Sequence, residues 1–274
     1  MKLGIIQMLV TENKDMNLKK AEKKIYDLIN KKADIILLPE CFNSPYGINY
    51  FKKNAEYLPL NDDNSLYNIK THLMFKNISN KYPNIYIFGG SIPEIDEEKI
   101  YNTCPVYHNG KLINKYRKIH LYEIALKDHK FREADVLSNG NNPIIIETKW
   151  GNIGIGICYD LRFPKLAEYY RKNNCKMILY PGAFNLITGQ KHWELLNKSR
   201  ALDNMLFIAS CSVARNNEAD FKAWGHSMIV NPNSEIINKL YENEDSILQT
   251  INFNEIDEIR NNIPCFKNQV IINM

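Results

Sequence analysis

Three residues stand where chemistry is commonly done. Glu40 follows the apolar run 35–39, Lys118 follows the run 111–117, and Cys158 follows Gly154-Ile155-Gly156-Ile157. Each run reads as a strand, and side chains just past the carboxyl ends of buried strands are held rigidly over a cleft. A cysteine that leaves a glycine-spaced strand and enters a helix has its thiolate favoured by the helix N-terminus and by a nearby cation. A carboxylate accepts the thiol proton, and an ammonium holds a developing oxyanion. Together these are the parts of a nucleophilic acyl-transfer site. Taken singly they have plainer readings: a small core residue, a solvated carboxylate, and a surface lysine near Lys115 and Arg117. Spacing alone does not bring them together. His120 offers another arrangement, a Cys–His pair with His120 as base to Cys158, but that would leave Glu40 and Lys118 without a task.

The elements that must position them alternate along the chain. Residues 2–10 and 33–40 read as buried strands, and 13–30 between them as a helix with Leu18, Ala21, Ile25, Leu28 and Ile29 on one face. A polar, aromatic loop carrying Tyr46 and Gly47 follows. Residues 65–82 have helical period, with Ser65 as N-cap. Residues 85–92 are a strand, and 101–107 and 111–116 flank His108-Asn109-Gly110 as a hairpin. The second half repeats the style. Strands are expected at 143–148, 153–157, 176–180, 205–212, 226–231, 235–240 and 246–253. Helices are expected at 163–173, 190–203 and 255–261, with Pro164 in the first turn of one. No repeat or Gly/Ser linker interrupts the pattern. The economical reading is one α/β domain over residues 1–274, with a mixed sheet or two sheets face to face.

Composition closes off other classes. The 274 residues carry 35 Lys+Arg against 31 Asp+Glu, a net charge of +4. Basic and acidic residues are interleaved, so nucleic acid is not an expected partner. No run reaches the roughly 18 apolar residues of a membrane span, and the N-terminus has no signal-peptide pattern. The six cysteines form no C-x-x-C pair, which argues against a structural zinc site and fits a reducing, cytoplasmic setting.

The blocks Leu37-Leu38-Pro39-Glu40, Lys115-Tyr116-Arg117-Lys118-Ile119-His120-Leu121 and Gly156-Ile157-Cys158-Tyr159-Asp160-Leu161-Arg162-Phe163 resemble, in this order, the carbon–nitrogen hydrolase (nitrilase) superfamily with its Glu–Lys–Cys triad. The resemblance runs from Leu3 to about Phe266. Within the superfamily the chain looks most like the omega-amidases. That likeness is carried by residues 39–47, Tyr180-Pro181-Gly182-Ala183-Phe184-Asn185, His192-Trp193-Glu194-Leu195-Leu196 and Ala223-Trp224-Gly225-His226-Ser227. The family's second glutamate, in a Phe-x-Glu pattern, matches Glu133 in Phe131-Arg132-Glu133. The chain departs from the pattern at residues 122–128, which lack the usual turn and are one residue short. It departs also at Lys165, at Val213 and in the tail 268–274.

The resemblance implies a four-layer α-β-β-α sandwich, commonly paired into dimers. It implies Cys158 as nucleophile, Glu40 as acid–base, and Lys118 with the Tyr159 N–H as oxyanion donors. Glu133 would orient Lys118 or the substrate amide, and no cofactor or metal takes part. The implied substrate is the side-chain amide of a short dicarboxylic keto acid, such as 2-oxoglutaramate or 2-oxosuccinamate. Tyr46 and Arg215 would meet its far carboxylate, with Phe184 and Asn185 as walls. Glu194 would be a buried hydrogen-bond partner near the site, and His192 and Trp193 packing residues. Deaminated glutathione, nitriles and N-carbamoyl compounds are alternative substrates, and a catalytically dead interaction protein of the same fold is the non-enzymatic alternative. Ile263, Phe266, Val270, Ile271 and Ile272 make the segment 254–274 more apolar than a solvated tail needs, and they are expected to pack on a partner subunit.

Overall fold

Alternating side chains in short strands build the core from both sides. In β1 (Lys2–Gln7) Leu3 and Ile5 point one way and Ile6 the other; in β2 (Ile35–Leu37) Ile35 and Leu37 are likewise divided from Ile36. The first set packs between two sheets, the second against helices. The computed structural model describes residues 1–60, 69–126, 129–268 and 270.

Helix α1 (Lys14–Asn30) buries Leu18, Ala21, Ile25, Leu28 and Ile29, the face expected from the sequence, and Asn13 caps it by accepting from the Met16 N–H at 3.0 Å. A short helix, α2 (Ile48–Asn54), replaces part of the expected loop after Gly47. Helix α3 (Lys70–Lys81) begins later than the helical period suggested, and Ser65 lies outside the described residues. Then come β3 (Tyr86–Phe88), β4 (Ile92–Asp96), β5 (Lys99–His108), β6 (Lys111–Arg117) and a hairpin of β7 (Glu123–Leu126) with β8 (His129–Arg132). The second half contains β9 (Ile145–Thr148), β10 (Gly151–Ile155), α4 (Pro164–Lys172), β11 (Cys175–Gly182), α5 (Leu186–Thr188), α6 (Glu194–Asn204), β12 (Phe207–Ser212), β13 (Met228–Val230), β14 (Ile236–Lys239), β15 (Asp245–Thr250) and α7 (Asn254–Asn262).

The first sheet runs β15-β1-β2-β3-β5-β4, with β6 also on β5; the second runs β14-β13-β12-β11-β10-β9. They pack face to face through one apolar cluster that includes Leu3, Leu37, Phe88 and Tyr116 from the first sheet and Ile153, Ile155 and Leu179 from the second. Helices α1 and α3 cover the first sheet, and α4 and α6 the second. The fold is the expected α-β-β-α sandwich in one domain. Gly154 shows how closely a helix approaches: a Cβ there would lie 2.5 Å from the Tyr170 ring of α4. Among the described residues, no helix is long and apolar enough to cross a membrane.

Candidate active site

The first sheet supplies a carboxylate and an ammonium. Past β2 the chain turns tightly. The Leu38 N–H donates to the Phe88 carbonyl, the Ser91 N–H to the Pro39 carbonyl, and the Cys41 N–H to Ser91 Oγ, at 3.1 Å each. Gly90, at φ +62°, lies so close that a Cβ would meet the Pro39 oxygen at 2.1 Å. Glu40 is thereby held rigidly and fully buried. On β6 the side chains alternate. Lys115 and Arg117 turn outward to Glu94, while Tyr116 and Lys118 turn inward. The Lys118 main chain is fixed on both sides, its N–H to the Asn102 carbonyl and its carbonyl to the Gly140 N–H, at 2.8 Å each.

Lys118 Nζ lies 3.1 Å from Glu40 Oε1 and 2.9 Å from Glu133 Oε1, and all three side chains are inaccessible to solvent. Glu133 follows the β7–β8 hairpin. Its Oε2 accepts from the Tyr122 N–H at 2.6 Å, and its Oε1 accepts from the Tyr46 hydroxyl at 2.8 Å. The hairpin therefore holds Glu133 on Lys118 despite the shortened segment. Asn102 Nδ2 donates to Glu40 Oε1 at 2.8 Å. Glu40 Oε2 is buried without a hydrogen-bond partner, an acceptor that a proton donor would satisfy.

The second sheet supplies the thiol. Past β10 the backbone turns at Cys158, whose φ is +48°, and enters the tight turn Cys158–Arg162. A non-glycine residue in this region is strained and is held there by its surroundings. The Cys158 side chain lies against the Glu40 carboxylate and accepts from the Ala183 N–H at 3.5 Å. Burial, then the charge of Glu133, raises Glu40 above the ordinary carboxylate range, against the pull of Lys118. Burial and the charge of Glu40 push the Cys158 thiol up. Burial opposes the charge on Lys118, but Glu133 and Glu40 outweigh it and hold the ammonium well above its usual range. The site thus sets a thiol beside one carboxylate, with an ammonium between that carboxylate and a second.

Cys158 opens on a narrow crevice lined by Tyr122, Tyr159, Arg162, Phe184 and Asn185. On the other side, Glu40 and Tyr46 border a cleft of about 300 Å³ closed by Phe221. Tyr159, Phe184 and Asn185 therefore stand beside Cys158, and Tyr46 stands behind Glu133. Arg215 does not join them. It donates to the Ala223 and Trp224 carbonyls at 3.4 and 3.0 Å, lies over the Trp224 ring, and lines neither cavity. The cation in the crevice is Arg162. Its guanidinium rests over Phe184, 5.0 Å from the ring centre, and donates to His192 Nδ1 at 3.3 Å rather than to a carboxylate. Glu194 is also displaced from its expected place. It is half exposed and pairs with Lys239 at 2.8 Å, because the helix turns it away while Trp193 enters the core against Phe184. His120 meets Asp160 rather than Cys158, at 2.7 Å.

Arg162, Asn102 and Asp160 were not singled out from sequence. Two of them sit in the cysteine block itself, two and four residues after Cys158, and that proximity was the available signal.

The family described as carbon-nitrogen hydrolase matches residues 2–261. Omega-amidase NIT2 of Xenopus tropicalis is 44% identical over 265 residues, covering 96% of this chain and 92% of that protein. Omega-amidase NIT2 of Homo sapiens is 41% identical over 268 residues, covering 97% and 94%. The crystal structure of Saccharomyces cerevisiae Nit3, a member of branch 10 of the nitrilase superfamily, superposes with a TM-score of 0.87 at 36% identity, covering 96% of this chain and 94% of that one.

Proposed function

Because the chain belongs to the carbon–nitrogen hydrolase family and is an amidohydrolase, we propose that it hydrolyses the terminal amide of short dicarboxylic keto acids through a thioester on Cys158. One observation carries the mechanism: the buried cluster of Glu40, Lys118 and Glu133, with the Cys158 thiol against Glu40. Glu40 takes the thiol proton as sulfur bonds to the amide carbon. Lys118 and the Tyr159 N–H hold the oxyanion, each such donor lowering the barrier by about 3–4 kcal/mol. The C–N bond breaks as Glu40 protonates the departing nitrogen, and ammonia leaves. Glu40 then takes a proton from water, whose oxygen attacks the thioester carbon. The acid is released and the thiol is restored. Glu133, itself held by Tyr46 and Tyr122, keeps Lys118 aimed.

Substrate choice comes from the crevice. Arg162 is the cation available for a carboxylate at the far end of the substrate, the role expected from sequence for Arg215. Phe184 walls the carbon chain. Asn185, bonded to the Tyr122 hydroxyl at 3.1 Å, closes one side. The relatives' name, omega-amidase, supports an amide substrate, and the family resemblance makes 2-oxoglutaramate or 2-oxosuccinamate the amide to test. A cytoplasmic homodimer, with the segment 254–274 against the partner subunit, completes the proposal. Ile263 and Val270 are exposed as that packing requires, Phe266 lies over Arg171, and Ile271 and Ile272 fall outside the described residues.

The test is ammonia release from 2-oxoglutaramate and, in parallel, from deaminated glutathione, with Cys158→Ala as control. Fast release from the keto-acid amide, lost in the variant, is expected. Release from the tripeptide-like amide alone overturns the substrate assignment, and full release by Cys158→Ala overturns the mechanism.

A further inference from the structure

The reacting groups come from two different sheets, and one buried carboxylate ties the two supports together. Asp160 is fully buried and sits two residues after Cys158, within the turn that carries the nucleophile. Its Oδ2 accepts from the Ile157 N–H at 2.8 Å, which pins the residue before Cys158. The same oxygen accepts from the Tyr116 hydroxyl at 2.7 Å. Its Oδ1 accepts from the His120 N–H at 2.9 Å and from His120 Nδ1 at 2.7 Å. Tyr116 and His120 are the residues two before and two after Lys118. The strand end that carries Lys118 thus curls around the carboxylate that closes the Cys158 turn.

We propose that Asp160 is a positioning residue, setting the Cys158 turn and the Lys118 strand end in register for attack. The proposal depends on the reading of Cys158 as nucleophile and Lys118 as oxyanion donor. Four donors converging on one carboxylate form a stiff junction, because hydrogen bonds to a carboxylate are short and strong. Alternatives to the carboxylate fit poorly. An asparagine in its place turns one acceptor oxygen into a donor, which then faces either Ile157 and Tyr116 or His120. The strained φ of Cys158 needs such a restraint. The stacking of His120 on Phe163, with ring centres 3.6 Å apart, fixes the imidazole from its other side.

The experiment compares Asp160→Asn, Tyr116→Phe and His120→Ala with the unaltered enzyme. Four quantities are measured: kcat and KM for 2-oxoglutaramate, the rate of Cys158 alkylation by iodoacetamide, and the melting temperature. A misplacement near 1 Å costs about 100-fold in rate. Asp160→Asn is therefore expected to lose about 100-fold in kcat, with KM changed less than about threefold. Tyr116→Phe and His120→Ala keep the carboxylate and are expected to lose about tenfold each in kcat, and less than the product of the two when combined. If Asp160→Asn does not fold, this pair decides the matter. Lower melting temperatures with kcat within threefold of the unaltered enzyme would show a structural residue only and overturn the proposal. A kcat loss matched by an equal rise in KM would also overturn it. An unaltered enzyme whose Cys158 resists iodoacetamide and which releases no ammonia would instead overturn the functional reading on which the proposal depends.

Discussion

Replacing Glu133 by glutamine keeps the shape of the site and removes one charge. Lys118 Nζ is 2.9 Å from Glu133 and 3.1 Å from Glu40, with no solvent reaching any of them. At an effective dielectric near 20, each contact of that length is worth about 5–6 kcal/mol of Coulomb energy. Most of this offsets the desolvation of the ions, and breaking one buried pair costs about 3–5 kcal/mol. Lys118 keeps Glu40, so the lower end applies. If about 3 kcal/mol falls on the barrier, kcat/KM drops by roughly 100-fold. The pH profile supplies an independent sign. The charge of Glu133 is one of the causes that raise Glu40. Without it Glu40 ionises at lower pH, so the acid limb of kcat/KM moves down in Glu133→Gln. In the unaltered enzyme that limb is expected above the usual carboxylate range, because burial raises Glu40. The assay is ammonia release across pH. Activity within threefold of the unaltered enzyme, or an acid limb that moves upward, would refute the reasoning.

Other consequences follow from the same geometry. Arg162→Leu should raise KM for 2-oxoglutaramate by about 10–100-fold, the worth of a charged hydrogen bond, while leaving hydrolysis of a neutral short amide within threefold; steady-state kinetics on both substrates will tell. Arg215→Leu should leave KM for the carboxylate substrate unchanged, since that side chain is occupied by main-chain carbonyls. Gly154→Ala should destabilise the fold by about 1–3 kcal/mol or more through overpacking against Tyr170, seen as a lower denaturation midpoint with an unchanged m-value.

Legibility in the sequence followed the range of the forces involved. The buried face of α1 was readable because five apolar residues recur at helical spacing and nothing distant alters that phase. Glu40, Lys118 and Cys158 were readable as residues at strand ends, and only the fold shows how near they come. The β7–β8 hairpin was not foreseen, since Glu123, Lys130 and Arg132 supply charge where a buried strand would show apolar alternation. Helix α2 was hidden for a related reason: it buries one residue, Phe51, in a stretch dominated by aromatic and polar side chains. The choice between Arg162 and Arg215 lay beyond spacing altogether. Both are near aromatic residues in sequence, and only the path of the chain decides which guanidinium reaches the crevice and which is taken up by carbonyls. Glu194 failed by helical phase, a single step of about 100° from the buried Trp193.

The pairing of β1 with β15 also bears on how the chain survives its own synthesis. Lys2 faces Thr250 and Gln7 faces Asp245, so the flank of β1 stays bare until about residue 250 has been made. At about 5–20 residues per second, that interval lasts about 10–50 s. Throughout it, a strand carrying Leu3, Ile5 and Ile6 offers unpaired main-chain groups to any neighbour, the ordinary starting point of aggregation. A chain shortened before Asp245 would keep that flank bare permanently. Its yield of soluble protein should collapse even though Glu40, Lys118, Glu133 and Cys158 are all retained.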